Sequence, residues 1–235
     1  MKMLLFSNIG YAIAPAEMAE FIAGVAKRLS CGLMISLGGW RGVPVAVLKR
    51  FAGAAELWSL WGDENDLRVL GEADVRVLRD GEVIEVSGLR IGAINGVTTM
   101  HGRGYAKSYA DTLGIAHGFR ERIDVLLMRD CPPPPPRLPT FHVGKRATLL
   151  RAIEDASPAL VICGRPSNGS LVEENIGGRL MIGIDTSGNP PTYLTLEPRD
   201  KEINIEIWQG LTEEPSYRTR ITIRKARSGT ASPYY

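Results

Sequence analysis

The polar residues best placed to do chemistry follow an apolar run. Leu57-Trp58-Ser59-Leu60-Trp61 breaks at Gly62 into Asp63-Glu64-Asn65-Asp66. In an α/β protein, ligands and catalytic groups collect where strands end at the carboxyl edge of a sheet. Four more apolar runs end in comparable turns. They are Ser7-Asn8-Ile9-Gly10, Gly38-Gly39-Trp40-Arg41-Gly42, Arg129-Asp130-Cys131 and Gly164-Arg165-Pro166-Ser167. The side chains on offer are amides, carboxylates, a hydroxyl and guanidinium groups. Such groups can bind an anion or neutralise one another as ion pairs.

The elements that must position these turns read as follows. Met3 to Phe6, Gly32 to Leu37 and Glu56 to Trp61 are apolar runs of strand length. Pro15 to Leu29 and Val45 to Phe51 carry apolar residues at helical spacing. That β-α-β-α-β order predicts parallel strands with crossover helices. Short strands follow at 75–78, 83–86 and 89–94, divided by Arg-Asp-Gly and Ser-Gly turns. Residues 104–119 predict a helix interrupted by Gly114, and 123–128 a buried strand. Five prolines, Pro132 to Pro136, must then run extended outside a sheet interior. A helix at 143–156 and strands at 159–163, 180–184, 193–196, 203–208 and 217–223 complete the pattern.

Composition bounds the reading. The 235 residues are 44% hydrophobic and 23% charged, which fits a packed globular chain rather than a disordered one. A net charge of +2 gives no overall electrostatic case for nucleic acid. No apolar run reaches membrane-spanning length, so a membrane partner is not expected. Cys31, Cys131 and Cys163 are odd in number and scattered. We therefore expect no disulfide framework and a reducing cytoplasm. Gln209 is the only glutamine; with fifteen prolines it hints at a thermophile. Residues 1–227 read as one domain and 228–235 as a flexible tail.

Taken in order, the five turns resemble the motifs of the calcineurin-like metallophosphoesterases. That family reads D-x-H, G-D, G-N-H-[DE], H and G-H-x-H. Here Asn8 and Gly10 stand in the first motif, Gly38-Gly39 in the second and Gly62-Asp63-Glu64-Asn65 in the third. Asp124-Val125-Leu126-Leu127-Met128-Arg129-Asp130 matches the fourth, and Gly164-Arg165-Pro166-Ser167 the fifth. The resemblance implies an α/β fold of two packed mixed β-sheets flanked by helices. It also implies a site that holds two divalent metals and activates a water.

The departures decide function. At the matching positions this chain has Asn8, Gly10, Gly39, Asp63, Glu64, Arg129, Arg165 and Ser167. Glycine offers no side-chain ligand, and an arginine guanidinium stays protonated. We therefore expect no metal, no other cofactor and no catalytic residue. The arginines either form an ion-pair plug with Asp63 or Glu64, the preferred reading, or grip a phosphate or carboxylate.

Other residues have plainer readings. His101, His117 and His142 lie outside the motifs and receive no role. Trp40, after the glycine turn, is the tryptophan we expect to be exposed as an interface anchor. Gly38, Gly62 and Gly164 read as tight turns that want φ > 0. Arg218, Arg220, Arg224, Lys225 and Arg227 form a local basic row, ordinarily a solvated strand face, and the one patch that could touch nucleic acid. The expectation is a non-catalytic homologue serving as a scaffold or accessory subunit with a protein partner. Inactive relatives serve so in replicative polymerases and in a membrane-coat complex. The alternatives are an anion, nucleotide or nucleic-acid binding module and, last, an active metal-dependent phosphoesterase.

Overall fold

The computed structural model describes residues 1–133, 142–164, 166 and 171–223. The run Pro134 to Pro136 and the tail 228–235 lie outside them. Among the described residues the strands form two sheets. The first is built from β1 (Met3–Phe6), β2 (Leu33–Ser36), β3 (Glu56–Ser59), β4 (Arg76–Val77), β11 (Thr192–Arg199), β12 (Glu202–Gln209) and β13 (Tyr217–Thr222). Their order is β13-β12-β11-β1-β2-β3-β4. The second contains β5 (Val83–Val86), β6 (Leu89–Ile94), β7 (Val125–Met128), β8 (Leu160–Gly164), β9 (Leu171–Ile176) and β10 (Arg179–Ile184), in the order β5-β6-β7-β8-β10-β9.

Both sheets are mixed. β1, β2, β3 and β4 run parallel, whereas β11 pairs antiparallel with β1, Met3 opposite Leu196. In the second sheet β6, β7, β8 and β10 run parallel, with β5 and β9 antiparallel at the edges. Apart from β4 at the edge, the parallel strands are largely buried on both faces, which is why they read as unbroken apolar runs. Leu5, Ile35, Leu127, Ile162 and Leu194 pack between the sheets. The outer face of the first sheet is covered by α1 (Pro15–Arg28), α2 (Val45–Ala52) and α3 (Glu64–Glu72). That of the second is covered by α4 (Tyr109–Gly118) and α5 (His142–Ala156). The result is the helix–sheet–sheet–helix sandwich expected from the sequence. No helix of the described residues is long and apolar enough to cross a membrane.

Three local expectations change. A helix, α3, begins within the polar stretch after Gly62, with Asp63 as its N-cap. β9 is a strand that the polar run Glu173-Glu174-Asn175 concealed. The helix expected from 104 starts at Tyr109 instead, behind a reciprocal cap between Ser108 and Asp111, and runs through Gly114 without interruption.

The cysteines also correct the sequence reading. Cys131 and Cys163 are joined in a disulfide, with Cα atoms 5.1 Å apart. They stand 32 residues apart in sequence, but β7 and β8 are parallel neighbours with Met128 opposite Cys163. The chain leaving β7 thus passes directly beside β8. Cys31 stays a free, buried thiol, and burial pushes it up to about 11.

Gly114 is exposed, and nothing lies within 4 Å of where its Cβ would stand. Gly114→Ala is expected to raise the unfolding free energy by about 0.5–1 kcal/mol, read as a higher denaturation midpoint at unchanged slope. Titration of the native protein with a chromogenic disulfide should find no reactive thiol. Denaturation should reveal only Cys31, and reduction in denaturant should add Cys131 and Cys163. Loss of the disulfide is expected to cost about 3–4 kcal/mol, given the loop it closes.

Candidate functional site

The first two turns are bonded to each other through their backbones. Asn8 adopts a left-handed conformation, φ 60°, and its N–H donates to the Gly38 carbonyl at 2.9 Å. The Gly10 N–H donates to the Gly39 carbonyl at 2.7 Å. Gly38 and Gly39 are consecutive left-handed residues, φ +85° and +89°, a course that L side chains rarely follow. A Cβ on Gly39 would stand 2.7 Å from Asn8 Oδ1, and one on Gly10 would strike the Arg41 carbonyl. The Ser7 hydroxyl donates to the Ile184 carbonyl and its N–H to the Thr186 hydroxyl, tying the first turn to the end of β10.

The third turn joins them through Asp66. Its carboxylate accepts N–H bonds from Gly39 at 2.8 Å, Trp40 at 2.7 Å and Gly62 at 2.8 Å. Asp66 is 1% exposed. The sequence reading set Asp63 or Glu64 opposite the arginines; here Asp66 is the acid that ties the second and third turns together. Asp63 Oδ1 accepts the Asp66 N–H as the cap of α3, and Glu64 is exposed on the first turn of that helix. Because a helix starts at Glu64, the residue three positions past the cap is the one that faces back toward the strand ends.

The fourth turn supplies Arg129, whose N–H donates to the Ile94 carbonyl at 2.9 Å. Its side chain is 2% exposed. Nη1 donates to Asn8 Oδ1 at 2.7 Å and to the Leu37 carbonyl at 3.3 Å. Glycines surround it. A Cβ on Gly62 would lie 2.5 Å from Arg129 Nε, and one on Gly164 would lie 3.1 Å from Nη1. Neither Gly62 nor Gly164 has positive φ. Gly62 is therefore glycine to admit the arginine, and Gly164 to admit both the arginine and Leu37, correcting the turn explanation offered from the sequence. Beside Gly38, Arg129 Cδ and Asp66 Oδ2 line the same space. Arg165 and Ser167 of the fifth turn lie outside the described residues, as do Arg224, Lys225 and Arg227. The structure thus gathers Asn8, Gly39, Gly62, Asp66, Arg129 and Gly164 at one end of the two sheets.

That convergence has counterparts in solved structures. GAP50 of Plasmodium superposes with a TM-score of 0.64 at 12% identity, over 97% of this chain and 90% of that one. A dimetal phosphatase from Danio rerio gives 0.59 at 11% identity, over 95% and 99%. Vps29 of Chaetomium thermophilum gives 0.51 at 10% identity, over 95% and 98%. The chain has the metallophosphoesterase fold. No protein-family model and no curated protein matches it in sequence.

On the metallophosphoesterase fold these turns would have to supply a two-metal centre, and the described residues do not fit one. The space beside Gly39 is taken by Asn8, and that between Gly62 and Gly164 by a guanidinium. Among the described residues no three His, Cys, Asp or Glu side chains are grouped to hold an ion. His101 and His117 are exposed.

Packing bears on two peripheral expectations. Trp40 is fully buried, not exposed. The double-glycine turn directs its indole into the helix-side core, edge-on to Phe6 and Phe51, with Nε1 donating to Ser59 Oγ at 2.8 Å. On the basic strand, Arg218 pairs with Glu206 at 3.4 Å and Arg220 with Glu202 at 3.2 Å, both on neighbouring β12. Burial alone would raise the Glu206 carboxyl. The Lys2 ammonium at 3.0 Å, the Thr195 hydroxyl and Arg218 outweigh it and hold the group below its ordinary range.

The glycine–arginine fit can be tested by a double-mutant cycle. Gly62→Ala should destabilise the protein by about 1–3 kcal/mol by overpacking, and most of that cost should vanish in an Arg129→Ala background. Glu206 sets a pH dependence. Its folded value is depressed, so its contribution is present above the unfolded carboxyl's titration near pH ~4.3 and is lost as pH falls through the folded value. Glu206→Gln should therefore flatten the acid limb of the stability curve while leaving the neutral limb parallel.

Proposed function

We propose that this chain is a non-catalytic protein of the metallophosphoesterase fold that acts as a scaffold or accessory subunit in a protein complex. The observation that carries this reading is Arg129. Its guanidinium occupies the point where the strand-end turns meet and donates to Asn8 and to the Leu37 carbonyl. A hydrolytic site there would need open space and exchangeable ligands, whereas side chains and backbone fill it. Among the proteins of like fold, GAP50 is described as the anchor in the inner membrane complex of Plasmodium. This precedent supports a role in assembly by analogy of fold.

The anion-binding reading requires the arginine to reach a ligand, and 2% exposure works against it. Binding of nucleic acid by the C-terminal strand is weakened where Arg218 and Arg220 are engaged with glutamates. The setting we propose is the cytoplasm of a thermophile. The scarcity of glutamine and the number of prolines support this, and intracellular disulfides occur in hyperthermophiles.

The test has two arms. With manganese present, the purified protein should hydrolyse a chromogenic phosphodiester no faster than the metal alone. Phosphate should leave its melting temperature unchanged. From native extract, the tagged chain should co-purify with a protein partner in fixed stoichiometry. Turnover that is lost in Asn8→Ala would overturn the reading in favour of an enzyme. A saturable rise in melting temperature with phosphate, absent in Arg129→Ala, would overturn it in favour of an anion-binding module.

A further inference from the structure

A groove of about 430 Å³ runs between α1 and α2 on the face away from the sheets. Its floor is apolar and made of small or buried groups, Ala19, Ala23, Val47, Phe51 and Ala54. Along α1 the outward stripe is Glu20, Ala23, Gly24 and Lys27, residues that helical spacing sets on one face. Gly24, like Gly114 on α4, makes no packing contact that requires a glycine. It is exposed in the middle of a helix, where glycine is unfavourable, and nothing lies within 4 Å of where its Cβ would stand. On this stripe the missing side chain leaves room for another backbone to approach closely.

The charges identify what approaches. The outward face of α1 is acidic in its first half, with Glu17 and Glu20, and basic at its far end, with Lys27. Glu20 shares one exposed pair with Arg50 at 3.2 Å, and Lys27 has no ion-pair partner among the described residues. Arg28 is engaged within its own chain by Thr212 and Tyr193. Glu20 and Lys27 stand symmetrically about Ala23 and Gly24. Reversing the helix therefore superimposes acid on base, the self-complementarity that a twofold interface requires.

We propose that two copies of this chain associate through α1, antiparallel across a twofold axis beside Ala23 and Gly24. The α1 ridge of each copy lies in the α1–α2 groove of the other. The small residues let the helices approach closely, and Glu20 of each copy meets Lys27 of its mate at both ends of the crossing. The contact buries the groove floor and leaves the strand-end turns free on both copies.

Sedimentation velocity over about a hundredfold range of concentration tests this, because association must follow mass action. Wild-type protein is expected to sediment as a dimer. Gly24→Arg should be monomeric with an unchanged circular dichroism spectrum. Lys27→Glu, which sets acid against acid, should weaken association at least about tenfold, on the order of 1.4 kcal/mol. Adding Glu20→Lys to Lys27→Glu should restore it, since the swap recreates both pairs. A wild-type chain that stays monomeric throughout would overturn the proposal. So would a dimer indifferent to Gly24→Arg, or a charge swap that fails to restore what Lys27→Glu removed.

Discussion

The carboxylate of Asp66 is the interaction on which the strand-end region depends. Three backbone N–H groups from two separate turns converge on it, out of water. Removing it would leave three buried donors unsatisfied, each at the cost of desolvating a polar group. The consecutive left-handed glycines at 38 and 39 can hold their course because their N–H groups and those of their neighbours have somewhere to donate. Arg129 then enters the space beside the same carboxylate. A buried cation is tolerated only with hydrogen bonds and opposite charge close by, and Asn8, the Leu37 carbonyl and the Asp66 charge supply these.

The arrangement explains why a region with so little side-chain chemistry stays ordered. Elsewhere on such a fold, ions can gather loops that would otherwise diverge. Here the gathering is done by backbone pairing between the first two turns, by one acid across the second and third, and by one arginine across the first, second and fourth. The Cys131–Cys163 bond fastens the fourth turn to β8. Each tie uses groups that would be costly to leave unmade, so the region is determined by satisfaction of polar groups rather than by apolar burial alone.

Much of this was legible in the sequence. The parallel strands were found to within one or two residues because burial on both faces leaves an unbroken apolar run. The order of the turns anticipated that Asn8, Gly39, Gly62 and Arg129 would meet at one end of the sheets. What the sequence could not reveal was which side chains face inward. Asp63, Glu64 and Asp66 are near-equivalent as letters. Only the helix beginning at Glu64 makes Asp63 a cap, exposes Glu64 and turns Asp66 toward the glycines. Trp40 looked exposed because it follows a turn, yet two left-handed residues reverse its direction. The disulfide was hidden because strand adjacency, and not sequence spacing, brings Cys131 to Cys163.

The pairing of β1 with β11 carries a consequence for synthesis. Met3 lies opposite Leu196, so β1 must wait for β11, synthesised much later, to cover its edge. Until then the nascent first sheet exposes a strand of four apolar residues with unpaired backbone groups along one side. Such high contact order slows closure and leaves an open edge available to other chains. Proteins that shelter nascent chains are the natural cover for that interval, and variants that delay release of residues 192–209 would lengthen it.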